Sequence, residues 1–186
     1  MKRLFLDLET TGLKPEENGI MQVGGIIEVD GHYQESFVFW LQPFETDVIE
    51  DRALNVTKKT RENLARFPDP IQVHGEFTRL LDKYVDKYDK KDKMWFMAYN
   101  SPFDNGFVRE WFNKCGHKYY GSYFHSPDIC VMRLAADWCV KANSFPENYK
   151  LGTVAKHLHL DVDDHALHDA MEDIILTRSI YHKVAC

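Results

Sequence analysis

Apolar residues crowd the start of the chain and then give way to paired carboxylates. Arg3-Leu-Phe-Leu reads as a buried strand, and Asp7 and Glu9 follow two positions apart. Residues i and i+2 of a strand face the same way, so these carboxylates are expected side by side at its end. Thr10-Thr11-Gly12 then lets the chain turn. Ile20–Val29 reads as a second strand, Asp30-Gly31 as a hairpin turn and His32–Leu41 as a third strand. A tight turn makes that pair antiparallel, and the polar loop Lys14–Gly19 suits an antiparallel link between the first two strands.

The pattern weakens between Gln42 and Pro70, where Pro43, Pro68 and Pro70 interrupt it; loops and one short helix near Lys58–Arg66 are expected. From Ile71, apolar residues at 73, 77, 80, 81, 84 and 85 fit one helical face. Asp86–Lys93 alternates acid and base with nearly cancelling sign, the mark of a solvated helix end rather than a nucleic-acid contact. Met94–Tyr99 is a compact apolar run and reads as a buried central strand. Pro102 suits the first turn of a helix with Ser101 as N-cap, which would carry Phe103, Phe107, Val108, Trp111 and Phe112 inward and stop at Cys115-Gly116. A strand and turn over Tyr119–Ile129, a helix from Cys130 to about Lys141 and a short amphipathic helix over Tyr149–Leu158 follow. The last helix is expected to begin around Asp164–His165 and to use Ala166, Ala170, Ile174, Leu176, Ile180 and Val184. Antiparallel strands, then strand and helix in alternation, then helices, predict a single α/β domain over residues 1–186 with a mixed sheet.

Charge narrows the function. A net charge of −6 argues against a general basic surface for nucleic acid. It leaves room for a nucleic-acid enzyme whose positive charge comes from bound metal. Cys115, Cys130, Cys139 and Cys186 show no metal-ligand spacing and read as free thiols in a reducing compartment. No basic-then-apolar leader and no run of membrane-spanning length appear, so a soluble, cytoplasmic protein without a membrane partner is expected.

Three further groups could meet the Asp7–Glu9 pair. Asp104 falls in the first turn of a helix after a central strand, where alone it would only complement the helix dipole. His165 and Asp169 stand four apart and share a helical face. His168 lies away from that face and is the weaker candidate, while Asp163, Asp164, Glu172 and Asp173 are expected to be mostly solvated. Several carboxylates without a basic partner imply hard cations with oxygen ligands, Mg²⁺ or Mn²⁺. Two such ions about 4 Å apart can hold the attacking water and leaving oxygen of a phosphodiester. A neutral histidine beside them can take the water's proton.

Asp7-Leu-Glu9-Thr-Thr-Gly12, Asn100-Ser-Pro-Phe-Asp104 and His165-Ala-Leu-His-Asp169 resemble, in order, the three motifs of the DEDD (DnaQ-like) 3′–5′ exonucleases. Tyr149–Leu158 is similar to the helix preceding the third motif, and Ser126-Pro-Asp128-Ile to a strand-end segment of that family, so the likeness runs from residue 3 to about 180. The resemblance implies a ribonuclease H-like fold with a five-stranded mixed sheet and release of nucleoside 5′-monophosphates from 3′ ends. It implies two Mg²⁺ or Mn²⁺ ions, with Asp7, Glu9 and Asp169 on the ion that activates water. Asp7 would bridge to the second ion, supported by Asp104, and His165 would be the general base. Thr10, Thr11 and Leu13, with Asn100 and Phe103, would shape the pocket for the terminal nucleotide. The histidine branch usually reads His-x-Ala-x-x-Asp; counted back from Asp169, that pattern reaches Asp164, and the four-residue spacing from His165 matches the tyrosine branch instead. Single-stranded DNA or RNA 3′ ends are the implied substrates, with a polymerase or other replication protein as a possible partner. The competing readings are a non-catalytic nucleic-acid-binding or scaffold domain of the same fold, and a domain that metal merely stabilises.

Overall fold

The computed structural model describes residues 1–162 and 170–185. Five strands form one mixed sheet: β1 (Lys2–Thr10), β2 (Ile20–Val29), β3 (His32–Trp40), β4 (Met94–Ala98) and β5 (Ile129–Cys130), in the order β3-β2-β1-β4-β5. β1 pairs antiparallel with β2 and parallel with β4; β2–β3 is antiparallel and β4–β5 parallel. This is the expected five-stranded mixed sheet. Asp30 and Gly31 both take positive φ, 52° and 83°, which a two-residue hairpin turn requires.

Eight helices are described: α1 (Asp51–Thr57), α2 (Arg61–Leu64), α3 (Pro70–Asp82), α4 (Ser101–Lys114), α5 (Tyr120–Tyr123), α6 (Val131–Ala142), α7 (Leu151–His157) and α8 (Ala170–Val184). The expected start of the last helix at Asp164–His165 lies outside the described residues. α3 begins where the Asp69 carboxylate accepts from the Ile71 and Gln72 amides. Its buried stripe of Val73, Phe77, Leu80 and Leu81 follows from the apolar spacing.

β1 runs on to Thr10, so Asp7 and Glu9 stand in its last four residues, at the strand's end as expected. The structure corrects three expectations. α1 forms in the stretch expected to be loop. α4 takes Asn100, not Ser101, as its N-cap; the Ser101 hydroxyl donates instead to the Asp128 carboxylate. Residues 119–129 do not form a long strand. Tyr120 and Tyr123 both turn inward, their hydroxyls donating to Asn105 and Asp82, and both rings pack against Phe112. Residues three apart share a face of a helical turn but opposite faces of a strand, so α5 is what buries both.

The sheet separates two layers. Leu4, Leu6 and Leu8 of β1 enter a core with Phe77 and Leu81 of α3 and Phe107, Trp111 and Phe112 of α4. Phe5 points the other way, against Ile26, Met97 and Ile174 of α8. By the same alternation Asp7 and Glu9 project to the α8 side.

Candidate active site

The site lies where two neighbouring strands part. β1 and β4 pair only over Lys2–Phe5 and Met94–Met97. β4 then ends at Ala98, and the chain turns into α4, while β1 continues along β2. The far end of β1 is thus left without a strand on its β4 side, and α4 presents Asp104 there. The Leu8 amide and the amide of Asp104 itself donate to the Asp104 carboxylate. Asp104 is 4% exposed.

α8 closes the other side. Asp7 stands opposite Gly24 in the β1–β2 ladder. A Cβ at Gly24 would sit 2.7 Å from Ile174 Cδ1 and 3.4 Å from Ala170 Cβ, so glycine is what lets α8 settle over this point. The helix brings Asp173 into electrostatic contact with Asp7. Burial pushes the Asp7 carboxyl well above the usual range, and Asp104, Asp173 and Glu9 push it further. Burial likewise raises Asp104, to about 8; its two amide donors oppose the shift and Glu9 adds to it. Four carboxyl groups from β1, α4 and α8 therefore share one electrostatic environment. Among the described residues, no three His, Cys, Asp or Glu side chains are already drawn in around one metal-sized space. The donor chemistry is all oxygen, which fits a hard divalent cation.

Asp7, Glu9 and Asp104 meet in this way. His165 and Asp169 lie outside the described residues. Within the acidic run expected to be mostly solvated, Asp173 is half-buried and faces Asp7. Two signals in the sequence point to it. Ala170, Asp173, Ile174 and Thr177 stand at i, i+3, i+4 and i+7, one helical stripe, and the other three are buried. His168-Asp-Ala-Met-Glu-Asp173 also reads His-x-Ala-x-x-Asp without adjustment.

Beside Glu9 lies a cavity of about 330 Å³. Leu8, Thr10, Leu13, Val56 and Phe103 line it, with Arg52 and Glu50 as further charged groups. Leu13 is 71% and Val56 54% exposed, so this wall is apolar yet open to solvent. Thr11 and Asn100, also expected to shape a pocket, do not line it. The Thr11 hydroxyl donates to the Val48 carbonyl (2.7 Å) and accepts from the Gly19 amide (2.8 Å), which ties the loop after β1 to the segment before α1. Asn100 is exposed at the start of α4. The α1 residues Arg52, Ala53 and Val56 are cavity residues that the sequence reading did not identify.

Comparison with known proteins places these observations. The exonuclease family model matches residues 4–181. The DNA polymerase III PolC-type of Thermotoga petrophila is 27% identical over 178 residues, 96% of this chain and 11% of that protein. The PolC-type polymerase of Clostridium perfringens is 23% identical over 179 residues, again 11% of its length. The chain thus spans about a tenth of the length of these curated relatives. Among solved structures, E. coli exonuclease I in complex with a dT13 oligonucleotide superposes with a TM-score of 0.79 at 20% identity, over 99% of this chain and 40% of that one. The zinc-bound form of the E. coli exonuclease I–ssDNA complex gives the same TM-score, 0.79. The fold is the ribonuclease H-like α/β exonuclease fold.

Proposed function

We propose a metal-dependent 3′–5′ exonuclease, on the premise that this chain belongs to the exonuclease family. One observation carries the reading: Asp7, Glu9, Asp104 and Asp173 gather from three elements, and burial and mutual repulsion raise Asp7 and Asp104 above the usual carboxylate range. Such a cluster becomes favourable when cations neutralise it.

Asp7, Glu9 and Asp173 would hold one Mg²⁺ or Mn²⁺ ion, with Asp7 shared by a second that Asp104 supports. Bound cations supply the charge that polarises a phosphodiester and makes water acidic enough to attack it. The chain does the rest. The apolar cavity takes the terminal base between Leu13, Val56 and Phe103, since aromatic and aliphatic walls bind bases without a broad positive surface. Arg52 forms no hydrogen bond or ion pair with the described residues and is available to that nucleotide. A histidine before α8 accepts the proton of the attacking water. The His-x-Ala-x-x-Asp spacing assigns this to His168 paired with Asp173, against His165 paired with Asp169. It supports the histidine branch of the DEDD exonucleases. The substrate is single-stranded DNA or RNA with a free 3′ end. Exonuclease I is solved with ssDNA, and PolC-type polymerases carry a similar segment, so a replication partner fits the same reading.

The test is a degradation ladder. End-labelled single-stranded DNA, duplex DNA and RNA are incubated with Mn²⁺, beside Asp7→Ala. Stepwise loss from the 3′ end, abolished in the variant, is expected; no product from any substrate would leave the non-catalytic binding domain as the better reading. Asp173→Asn and His168→Ala, run beside Asp169→Asn and His165→Ala, assign the third motif: the first pair should lose activity and the second retain most of it.

A further inference from the structure

α8 also meets the sheet through an ionic cluster around a buried carboxylate of β2, built from residues outside the motifs above. Glu28 of β2 is 0% exposed. Its Oε1 accepts from Arg178 Nε at 2.5 Å and is 3.0 Å from His182 Nε2. Its Oε2 lies 3.5 Å from the Arg3 guanidinium, directly across the β1–β2 ladder. A buried carboxylate is costly unless partnered, so this contact tolerates little sliding, unlike an apolar one.

We propose that Glu28, acting through Arg178 and His182, is a positioning residue that fixes the rotation of α8 and so holds Asp173 against Asp7. The geometry is one row of side chains. Ala170, Ile174, Arg178 and His182 follow one another at intervals of four along α8, a single line on one helix face. Gly24, Ile26 and Glu28 form the matching line on β2, every second residue of one sheet face. The first line lies on the second: Ala170 and Ile174 over Gly24, Arg178 and His182 on Glu28. Asp173 stands at the first seat, next to Ile174, and Asp7 is the residue opposite Gly24. Turning α8 by one residue, about 100°, would remove Asp173 from Asp7 and strand the Glu28 charge. The steric seat at Gly24 sets how close the helix comes; the ionic seat at Glu28 sets which face it shows. This inference rests on Asp173 being one of the metal-binding carboxylates.

The experiment is Mn²⁺ binding followed by electron paramagnetic resonance without substrate, together with steady-state kinetics on a single-stranded oligonucleotide. Glu28→Gln and the milder Arg178→Lys should each weaken Mn²⁺ binding about ten- to a hundredfold, the usual range for groups that support a ligand. They should lower kcat at limiting metal and leave KM for the oligonucleotide unchanged, because the cavity is not built on α8. In an Asp173→Asn background, Glu28→Gln should weaken binding no further. Val85→Ala, a core change distant from α8, serves as a control that lowers the melting temperature without moving the Mn²⁺ midpoint. The proposal is overturned if Glu28→Gln and Arg178→Lys lower only the melting temperature, or if Glu28→Gln costs as much metal affinity with Asp173→Asn as without it. An unchanged midpoint in Asp173→Asn alone would remove Asp173 from the metal site, and this proposal with it.

Discussion

A carboxyl group buried beside other carboxyl groups keeps its proton, and Asp104 does so up to about pH 8. Asp7 shifts in the same direction. Both folded-state pKa values are raised, so the folded protein binds more protons than the unfolded chain. The contribution is complete below the ordinary carboxylate range and is lost as pH rises toward the folded values. With chelator present, the melting temperature should therefore fall as pH rises from about 5 to about 8, more steeply than in Asp104→Asn. Saturating Mn²⁺ should flatten the slope, because the cation favours the charged forms. Asp7→Asn should lower metal-dependent activity by more than about a hundredfold, since groups that only support a ligand already cost up to that much. At this scale the sequence was legible where a residue's neighbours are local. Period two places Asp7 beside Glu9. Asp173 was harder, because five acids and two histidines crowd residues 163–173 and only packing on the sheet chooses the face that points inward.

Short elements hid more than long ones. α1 has seven residues and buries only Leu54, so it leaves no apolar stripe to read, yet it supplies one wall of the cavity. Val56→Asp should raise KM for an oligonucleotide by placing a like charge near the phosphates, with kcat largely retained; a fall in kcat alone would detach α1 from substrate binding. α5 was missed for a different reason: its aromatic residues have high strand propensity, and hydroxyl partners on α3 and α4 override it. Long elements with regular burial, β2, α3 and α4, were legible almost to their ends. Gly24 in β2 gives no pattern of its own; its need is visible only once α8 lies over it. Gly24→Ala should cost about 1–3 kcal/mol in chemical denaturation through overpacking against Ile174.

The whole molecule is acidic, with a net charge of −6 and an isoelectric point near 5.8. A substrate held at one end by a cavity and cations touches few phosphates. The logarithm of oligonucleotide affinity should then change with the logarithm of salt by a slope shallower than about −3, against roughly −0.7 for each phosphate neutralised on a single strand. A steeper slope would reveal a basic track beyond the cavity. Among the described residues, no helix is long and apolar enough to cross a membrane. The described cysteines, Cys115, Cys130 and Cys139, are free thiols. The sheet order was legible because a tight hairpin and an alternating βα pattern leave few alternatives. The early parting of β1 from β4 was not, since nothing in the sequence of β1 marks where its neighbour leaves.

That parting leaves the Leu8 amide donating to a titrating carboxylate rather than to a strand. Its proton resonance should therefore move downfield as Asp104 ionises and report the charge of the site directly. A single ¹⁵N-labelled leucine amide becomes an internal electrode, able to register cation arrival or proton loss without substrate, turnover or an added probe.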